Sequence, residues 1–314
     1  MIFKDKKQPR IVYMGTPEIS AHVLSDLIDE SFNIVALITN EDKEIGRKKI
    51  LDPTPTKKVA LAHDIPVFQP HRIRFDYEWL RAINADVIVC MAYGQIVPQA
   101  VLDMPKHGCI NLHGSLLPKL RGAAPIQRAI INGDALTGIT LMQMVDKMDA
   151  GLIYDRIEVT IDPRDNFTTL APKMAKAGSA LIIKDLMAYL NGELRGTPQD
   201  EDQVTFADKI KPENEHLSLS LSARDLVNYV RGLSETPGAF LLLDGLKMKI
   251  YAAHVSSPGA HYPVGTIAKA DRELQFQAVD GLVSIDLLQL EGKKKMDARS
   301  FLNGARDLTG KILL

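Results

Sequence analysis

The stretch Gly108–Gly133, GCINLHGSLLPKLRGAAPIQRAIING, predicts a strand, a stiff polar loop and a helix in that order. Its first apolar run is typical of a buried strand, Pro125 suits the first turn of a helix, and Gly133 suits the helix end. Residues i and i+2 of a strand point to the same side. We therefore expect Asn111 and His113 side by side on one face, where the strand ends and the loop begins.

The chain around this stretch alternates strand-like and helical patterns from Arg10 to Gly192. Apolar runs such as RIVYMG, NIVALIT and VIVCMAYG alternate with segments of helical spacing, and GITLMQMV and GLIYDRIEV close the series. In the first helical segment, Thr16 is the candidate N-cap and Pro17 the first helical residue. Near-continuous apolar strands separated by helices predict a parallel sheet covered on both faces. The sequence therefore predicts a Rossmann-like, mostly parallel α/β domain over residues 1–192.

A polar segment separates this domain from a region of different character. Residues 193–212 begin with ELRGTPQDEDQ and are predicted to be a linker. The region 213–314 contains one amphipathic helical pattern, SARDLVNYVRGL, followed by short β runs. Asp244-Gly245 and Asp280-Gly281 each lie between two such runs, which is the strongest short-range signal for a hairpin. These patterns predict a small antiparallel β-barrel, OB-like, as the second domain.

Composition and charge exclude several classes of protein. With 314 residues, 46% of them hydrophobic and 25% charged, the chain is expected to be a soluble protein of two domains. Its net charge of −1 gives no global argument for nucleic acid, and no apolar run reaches the roughly 18 residues of a membrane span. Cys90 and Cys109 lie in apolar runs, as expected of buried, reduced thiols in the cytoplasm.

No sequence motif indicates a metal or a nucleotide. C-x-x-C and H-E-x-x-H spacings are absent, which argues against a metal site. The first strand is followed by GTPEIS, which lacks the second glycine of a dinucleotide-binding loop, and no P-loop occurs. We therefore expect neither a metal nor a nucleotide as a cofactor.

A carboxylate that could orient His113 lies in MQMVDKMDAG, after another predicted strand. This segment offers Asp146 and Asp149, and Asp149 precedes two small residues that let a backbone approach closely. A carboxylate beside an imidazole fixes its tautomer and favours its charged form. Asn, His and Asp without a nucleophilic Ser or Cys suit direct acyl transfer to an amine, since amide and imidazole N–H groups can stabilise the oxyanion. Ser115 has no G-x-S-x-G around it and is not expected to be a nucleophile.

These motifs resemble the methionyl-tRNA formyltransferase family. INLHGSLLPKLRGAAPIQRAIINGD and TGITLMQMVDKMDAG are similar to its central segments, and MGTPEISAHVL, ADVIVCMAYGQIVP and LQLEGKKKMDARSFLNG extend the resemblance over both predicted domains. Sugar-nucleotide formyltransferases share H-x-S-x-L-P, but their R-G-x-A-P-x-N-W pattern differs from RGAAPIQ here. Three positions differ from the usual pattern of the methionyl-tRNA formyltransferase family. Ile19 stands where Phe is usual, Lys48 directly follows Gly46-Arg47 where G-R-G-K-K is common, and Lys147 stands where Gly is frequent.

The resemblance implies an enzyme that moves a formyl group from 10-formyltetrahydrofolate to the α-amino group of methionine on initiator methionyl-tRNA, in a bacterial-type cytoplasm. It places the family's catalytic residues on Asn111, His113 and Asp149. It places the folate-contacting S-L-L-P motif on Ser115, Leu116, Leu117 and Pro118. Two alternatives are formyl transfer to a small amine, such as an amino sugar nucleotide, and a non-catalytic RNA-binding module.

Two clusters of basic residues are the candidate RNA contacts. The segment 46–58, GRKKILDPTPTKK, lies beside the proposed site, and a second cluster lies in the predicted barrel. Either cluster could be a solvated surface, but such cations bind RNA phosphates and the resemblance favours RNA. The candidate residues are Arg47, Lys48, Lys49, Lys57, Lys58, Lys293, Lys294 and Lys295. We expect no membrane or DNA partner and, without a heptad pattern or a long exposed apolar helix, a monomer.

Overall fold

A computed structural model describes residues 2–45 and 50–314, which cluster into two compact units. The first unit contains the described residues up to Pro125 together with Leu136–Thr160 and Ala171–Ala207. The second contains Ile126–Ala135, Ile161–Leu170 and Asp208–Leu314. Two short segments from the middle of the chain therefore group with its C-terminal part. The predicted domain boundaries stay a prediction.

The first unit is built on a mixed sheet. Its strands in chain order are β1 (Ile11–Gly15), β2 (Ile34–Ile38), β3 (Lys43–Ile45), β4 (Ile50–Asp52), β5 (Val67–Phe68), β6 (Val87–Met91), β7 (Cys109–His113), β8 (Leu136–Gln143) and β9 (Ile153–Thr160). The sheet has the spatial order β5-β2-β1-β6-β7-β8-β9, and β3 pairs with β4 separately. The pairs from β5 to β7 are parallel, whereas β7–β8 and β8–β9 are antiparallel. The prediction of a mostly parallel sheet is confirmed.

The reversed direction of β8, which makes both of its pairings antiparallel, corrects the expectation that the whole series would be parallel. Only residues 144–152 join β8 to β9, and a parallel crossover needs a dozen or more residues. Because β8 runs against β7, its last residue Gln143 lies opposite Ile110, near the start of β7. The loop after β8 therefore begins away from His113, which ends β7.

Helices come between these strands along the chain, and the longest described helix follows β9. In chain order they are α1 (Glu18–Asp29), α2 (Pro55–Ala62), α3 (Leu80–Ile83), α4 (Gln99–Leu102), α5 (Pro125–Ile131) and α6 (Phe167–Leu190). The helix α1 has a fully buried apolar face that includes Val23, Leu24 and Leu27, as its helical spacing requires. As predicted, α5 begins at Pro125.

Thr16 does not cap α1, so that prediction is wrong. Pro17 occupies the N-cap position, and no side chain caps the helix there. The Thr16 hydroxyl instead donates a hydrogen bond to the Tyr93 carbonyl oxygen at 3.2 Å and accepts one from the Asn40 backbone N–H at 3.3 Å. Since Asn40 follows β2 and Tyr93 follows β6, the hydroxyl links the carboxyl ends of three neighbouring strands.

The second unit is a closed antiparallel sheet. Its elements are α7 (Ala223–Leu233), β10 (Ala239–Leu243), β11 (Leu246–Pro258), β12 (Ile267–Ala270), β13 (Leu274–Gln277), β14 (Gly281–Leu290), β15 (Met296–Asp297) and α8 (Ala298–Gly304). The strand order is β10-β11-β14-β13-β12, with β15 beside β14. Leu314 exchanges backbone hydrogen bonds with Leu242 of β10, and Ile267 of β12 donates one to Lys311. The chain's last residues thus join the two edges, and the predicted small antiparallel β-barrel is confirmed.

The hairpin predicted at Asp244-Gly245 is also confirmed. Asp244-Gly245 joins β10 to β11, and both residues have positive φ angles, 50° and 79°, as a tight two-residue hairpin requires. Asp297 caps α8, since its side chain accepts a hydrogen bond from the backbone N–H of Ser300. The barrel interior is apolar, with Leu241, Phe276 and other side chains almost fully buried.

Two further expectations concern the whole chain. Cys90 and Cys109 are buried free thiols, as predicted. Within the part of the chain that the structure describes, the helices are too short or too polar to cross a bilayer.

Asp185 of α6 is a buried carboxyl group in the first unit. It is 4% exposed, and its Oδ2 has no hydrogen-bond partner among the described residues. Burial first, and then a hydrogen bond with Asp155, raise the pKa of Asp185 to about 6. A raised pKa favours the protonated form in the folded state. At a pH below the ordinary carboxyl pKa, the protonated Asp185 therefore makes its full contribution to the free energy of unfolding. This contribution is lost as the pH rises through about 6.

We therefore expect Asp185→Asn to raise the melting temperature at pH 8 and to change it little at pH 4. Each kcal/mol gained corresponds to about 2–4 °C in a domain of this size. Thermal unfolding at both pH values measures the difference, with Asp29→Asn on the exposed end of α1 as the control. If Asp185→Asn changed the melting temperature equally at pH 4 and pH 8, the buried Asp185 charge would not be what destabilises the protein at pH 8.

Candidate active site

Asn111 and His113 lie on β7, in the interior of the sheet between β6 and β8. Asn111 is in register with Cys90 of β6, and His113 is in register with Thr140 of β8. His113 is 5% exposed, whereas Asn111 is half-buried. Within residues 2–45 and 50–314 the Asn111 carboxamide makes no hydrogen bond. Its polar atoms are therefore available to a ligand.

The His113 ring is held in one tautomer by the loop that follows β7. Its Nε2 lies 2.9 Å from the carbonyl oxygen of Leu120. A carbonyl oxygen can only accept, so Nε2 carries a hydrogen and donates it. In the neutral ring Nδ1 is then unprotonated, and Nδ1 is the nitrogen left for a reacting group.

Asp149 lies on the Nδ1 side of the ring. Its Oδ1 is 3.6 Å from Nδ1 of His113, and its Oδ2 accepts a hydrogen bond from the backbone N–H of Gly122 at 2.8 Å. The distance to Nδ1 is too long for a direct hydrogen bond, but it places the carboxylate beside the nitrogen that Leu120 leaves unbound. Asp146, the other acidic residue predicted in this loop, is exposed. The structure therefore brings Asp149, and not Asp146, to His113.

Both residues that flank the His113 ring have unusual backbones. Leu120 has a φ of 59° and Asp149 a φ of 50°. The left-handed region is uncommon for residues other than glycine, and it is least favourable for a bulky residue such as Leu. Such strain costs of order 1–3 kcal/mol per residue and persists only where the surroundings hold it, most often at functional sites. Two residues with this conformation flank one buried imidazole, which makes the site a candidate for function.

The turn that contains Ser115, Leu116, Leu117 and Pro118 is fixed against β8. The Ser115 hydroxyl donates to the Lys119 carbonyl oxygen at 2.6 Å, so it is engaged within the turn. Thr140 of β8 donates to the Ser115 carbonyl oxygen at 2.6 Å and accepts from the Leu117 backbone N–H at 3.1 Å. Ser115, Leu117 and Pro118 are buried, whereas Leu116 is half-buried and keeps the most exposure.

The thiol nearest to this site is not an activated nucleophile. Cys90 is 5% exposed, and burial raises its pKa to about 12. It is therefore a neutral thiol at physiological pH. With the Ser115 hydroxyl also engaged, the groups left to do chemistry are the Asn111 amide, the His113 ring and the Asp149 carboxylate.

A buried guanidinium lies behind the loop that carries Asp149. Arg121 is 1% exposed and donates to the Gln199 side-chain oxygen at 3.0 and 2.9 Å and to Glu201 at 2.8 Å. Lys147 donates to the other Glu201 oxygen at 2.8 Å, and the hydrogen bonds from Arg121 and Lys147 lower the pKa of Glu201 to about 2. Sequence reasoning missed these contacts. Gln199 and Glu201 lie in the predicted linker, and polar composition does not distinguish a solvated segment from a bound one.

The first predicted RNA-binding cluster is only partly described. Arg47, Lys48 and Lys49 lie outside the described residues. Lys57 is 20% exposed and donates to Asp42 at 2.6 Å and to Gln69 at 2.7 Å. Lys58 pairs with Asp52 at 2.8 Å but is 53% exposed. Lys58 is therefore better placed than Lys57 to exchange its partner for a phosphate.

The second predicted RNA-binding cluster lies after β14 in the barrel. Lys293 and Lys294 are exposed. Lys295 pairs with Glu235 at 2.5 Å and lies over the ring of Tyr251, 5.0 Å from its centroid. Lys293 and Lys294 are the members of this cluster whose charges are presented to solvent.

Known protein sequences resemble the chain over nearly its whole length. A family model described as Formyl transferase matches residues 9–186, and one described as Formyl transferase, C-terminal domain, matches residues 209–306. The chain is 41% identical to the methionyl-tRNA formyltransferase of Bacillus subtilis (strain 168) over 309 residues, which are 97% of each protein. It is 42% identical to the methionyl-tRNA formyltransferase of Macrococcus caseolyticus over 300 residues, 95% of this chain and 96% of that protein.

Solved structures share the fold. The N-formyltransferase of Helicobacter canadensis has a TM-score of 0.66 at 17% identity, over 91% of this chain and 99% of that one. HypX of Aquifex aeolicus, crystallised with tetrahydrofolic acid, has a TM-score of 0.66 at 15% identity, over 94% of this chain and 47% of that one. At such low identities these structures support the fold alone.

We expect Thr140→Val to destabilise the first unit by about 1–3 kcal/mol, because the buried Ser115 carbonyl and Leu117 N–H would lose their partner. Urea unfolding measures the loss as a lower midpoint with an unchanged slope. Thr140→Ser keeps the hydroxyl and is the matched control, from which only the cost of a lost methyl group is expected. A Val variant as stable as the Ser variant would show that these hydrogen bonds do not fix the turn.

Proposed function

The chain belongs to the methionyl-tRNA formyltransferase family, and we propose that Asn111, His113 and Asp149 carry out its reaction. The reaction moves the formyl group of 10-formyltetrahydrofolate to the α-amino group of methionine on initiator methionyl-tRNA, which serves the start of translation. The observation that supports these residues most is the buried His113 ring, fixed at Nε2 by Leu120 and faced at Nδ1 by Asp149.

The transfer needs no covalent enzyme intermediate. The methionine amine attacks the formyl carbon, a bond forms between them, and the bond from that carbon to the folate nitrogen breaks. The amine loses one proton, and the departing nitrogen gains one. The residues of the site therefore have two tasks: to stabilise the oxyanion that forms on the formyl oxygen, and to move a proton between the two nitrogens.

Each residue has a distinct task in this scheme. The Asn111 amide, which has no partner within the described residues, donates to the oxyanion. His113 uses Nδ1, because its Nε2–H is bound to Leu120: as an imidazolium it donates to the oxyanion and then protonates the departing nitrogen. Asp149 lies beside Nδ1, orients the ring for this transfer and takes part in removing the amine proton.

We also propose that the turn Ser115–Pro118 forms the edge of the folate site. The half-buried Leu116 is the side chain with most access to the pterin, and Thr140 holds the turn that presents it. The protein acts in this proposal as a cytoplasmic monomer, with a catalytic domain over 1–192, a linker over 193–212 and a barrel over 213–314 that binds tRNA.

We expect Asn111→Ala and His113→Ala each to lower kcat by about 10²–10³, the usual cost of losing a donor to an oxyanion. Formylation of methionyl initiator tRNA with 10-formyltetrahydrofolate measures the loss. Asp149→Asn should also lower kcat strongly, because it removes the charge beside Nδ1, whereas the exposed Asp146→Asn in the same loop is the matched control.

Two results would contradict this proposal. Near-normal turnover by a folded Asn111→Ala or His113→Ala would exclude these residues from the chemistry. Formylation of an amino sugar nucleotide but not of methionyl initiator tRNA would assign the site to a small amine instead.

We expect Lys293→Ala together with Lys294→Ala to raise KM for the tRNA severalfold without changing kcat. Each lost phosphate contact should also reduce the slope of log affinity against log salt concentration by about 1. A salt titration of tRNA binding measures this slope, with Lys176→Ala on the exposed face of α6 as the control. An unchanged KM and an unchanged slope would exclude these lysines from the RNA interface.

A further inference from the structure

The segment Gln199–Ala207 binds the main chain on both sides of His113. On the Nε2 side, the Thr205 hydroxyl accepts a hydrogen bond at 2.9 Å from the backbone N–H of Leu120, whose carbonyl holds the ring. The pairing continues along the chain, since Arg121 donates its backbone N–H to the Thr205 carbonyl at 2.9 Å and Ala207 donates to the Arg121 carbonyl at 2.7 Å. These hydrogen bonds with the segment Gln199–Ala207 therefore hold the main chain of the strained Leu120 in place.

On the Nδ1 side, the same segment holds Asp149 through Gln199. The Gln199 amide nitrogen donates to the carbonyl oxygens of Asp149 at 2.8 Å and of Gly151 at 2.9 Å. Its amide oxygen accepts two hydrogen bonds from Arg121, a group that can only donate. These two sets of hydrogen bonds fix the orientation of the Gln199 amide, so its NH₂ group must face the loop that carries Asp149.

Asp149 needs such support because of its own backbone. Its φ of 50° lies in the left-handed region, which is uncommon for residues other than glycine, although Asp adopts it more readily than most. Among the described residues, the carboxylate accepts a hydrogen bond through Oδ2 alone, from the N–H of Gly122. A shift of the main chain would therefore change the 3.6 Å separation between Oδ1 and His113 Nδ1.

We propose that Gln199 is a positioning residue for formyl transfer, which holds the main chain of Asp149 so that its carboxylate faces His113. The proposal rests on the catalytic role proposed for Asp149. Arg121 fixes the Gln199 amide, and the exposed Glu201 pairs with both the buried guanidinium and Lys147. Among the described residues, the Gln199 side chain binds Arg121, Asp149 and Gly151 and not the His113 ring, so it acts through Asp149.

Two substitutions separate the contacts of Gln199. Gln199→Glu keeps the shape and the oxygen that faces Arg121, but it places a second oxygen against the carbonyls of Asp149 and Gly151. Gln199→Met keeps the length and removes both sets of hydrogen bonds. Gln203→Met is the matched control: Gln203 lies in the same segment, is exposed, and donates only within its own turn, to Asp200 at 2.7 Å.

The full-length variants are assayed for formylation of methionyl initiator tRNA. We expect Gln199→Glu and Gln199→Met to lower kcat by about 10- to 100-fold, the effect of displacing a catalytic group by about 1 Å. KM for the tRNA and for the formyl donor should stay within about twofold, because no substrate contact is lost. Gln203→Met should behave as wild type.

A double-mutant cycle distinguishes positioning from a general structural defect. In the Asp149→Ala background, Gln199→Met should lower the residual kcat by less than about twofold, because the group that it positions is already gone. A loss of the same size in both backgrounds would overturn the proposal, and so would a wild-type kcat of both Gln199 variants.

The test also separates this proposal from the proposed function. If wild-type protein formylates methionyl initiator tRNA and Asp149→Ala does so with a much lower kcat, the function stands, and the double-mutant cycle decides the positioning role. If Asp149→Ala is as active as wild type, the role of Asp149 fails, and the positioning proposal fails with it. Circular dichroism and thermal unfolding confirm that the compared variants are folded.

Discussion

The hydrogen bond from His113 Nε2 to the Leu120 carbonyl oxygen, 2.9 Å long, is the interaction on which the site depends. It occupies Nε2 and leaves Nδ1 for the reaction that we propose. It also requires Leu120 to keep a φ of 59°, which a bulky residue adopts only when its neighbours enforce it. The loop after β7 is therefore shaped by the needs of the ring, and a relaxed backbone would turn the Leu120 carbonyl away from it.

The sequence predicts the parts of this site that arise from local periodicity. The i, i+2 spacing places Asn111 and His113 on one face of β7, and Pro125 marks the start of α5. Patterns of the same kind predict the mostly parallel sheet and the barrel with its Asp-Gly hairpin at Asp244. Such features depend on a few neighbouring residues, and for that reason they can be recognised in a single sequence.

Contacts between distant segments could not be predicted in the same way. Gln199 is 50 residues from Asp149 and 78 from Arg121, and no periodicity relates these positions. Polar composition favoured a solvated linker there, because the sequence does not reveal that a buried arginine needs those polar groups. The prediction that Thr16 caps a helix was wrong for a related reason. Its hydroxyl fits the N-cap pattern, but the residues that follow β2 and β6 offer it hydrogen-bond partners that the sequence alone does not reveal.

The direct transfer that we propose explains why so many contacts hold the groups around His113 in place. An enzyme that forms a covalent intermediate divides its reaction into two steps, whereas direct transfer must align amine, formyl carbon and leaving nitrogen in one arrangement. Its rate then depends on fixed dipoles, which act only if they do not have to reorganise. An engaged Ser115 hydroxyl, a neutral Cys90 thiol and an imidazole held on both sides by strained residues all suit such a reaction. The burial of Arg121, which is expensive for any charged group unless it is paired, is consistent with a fold in which rigidity at His113 outweighs the cost of desolvating a guanidinium.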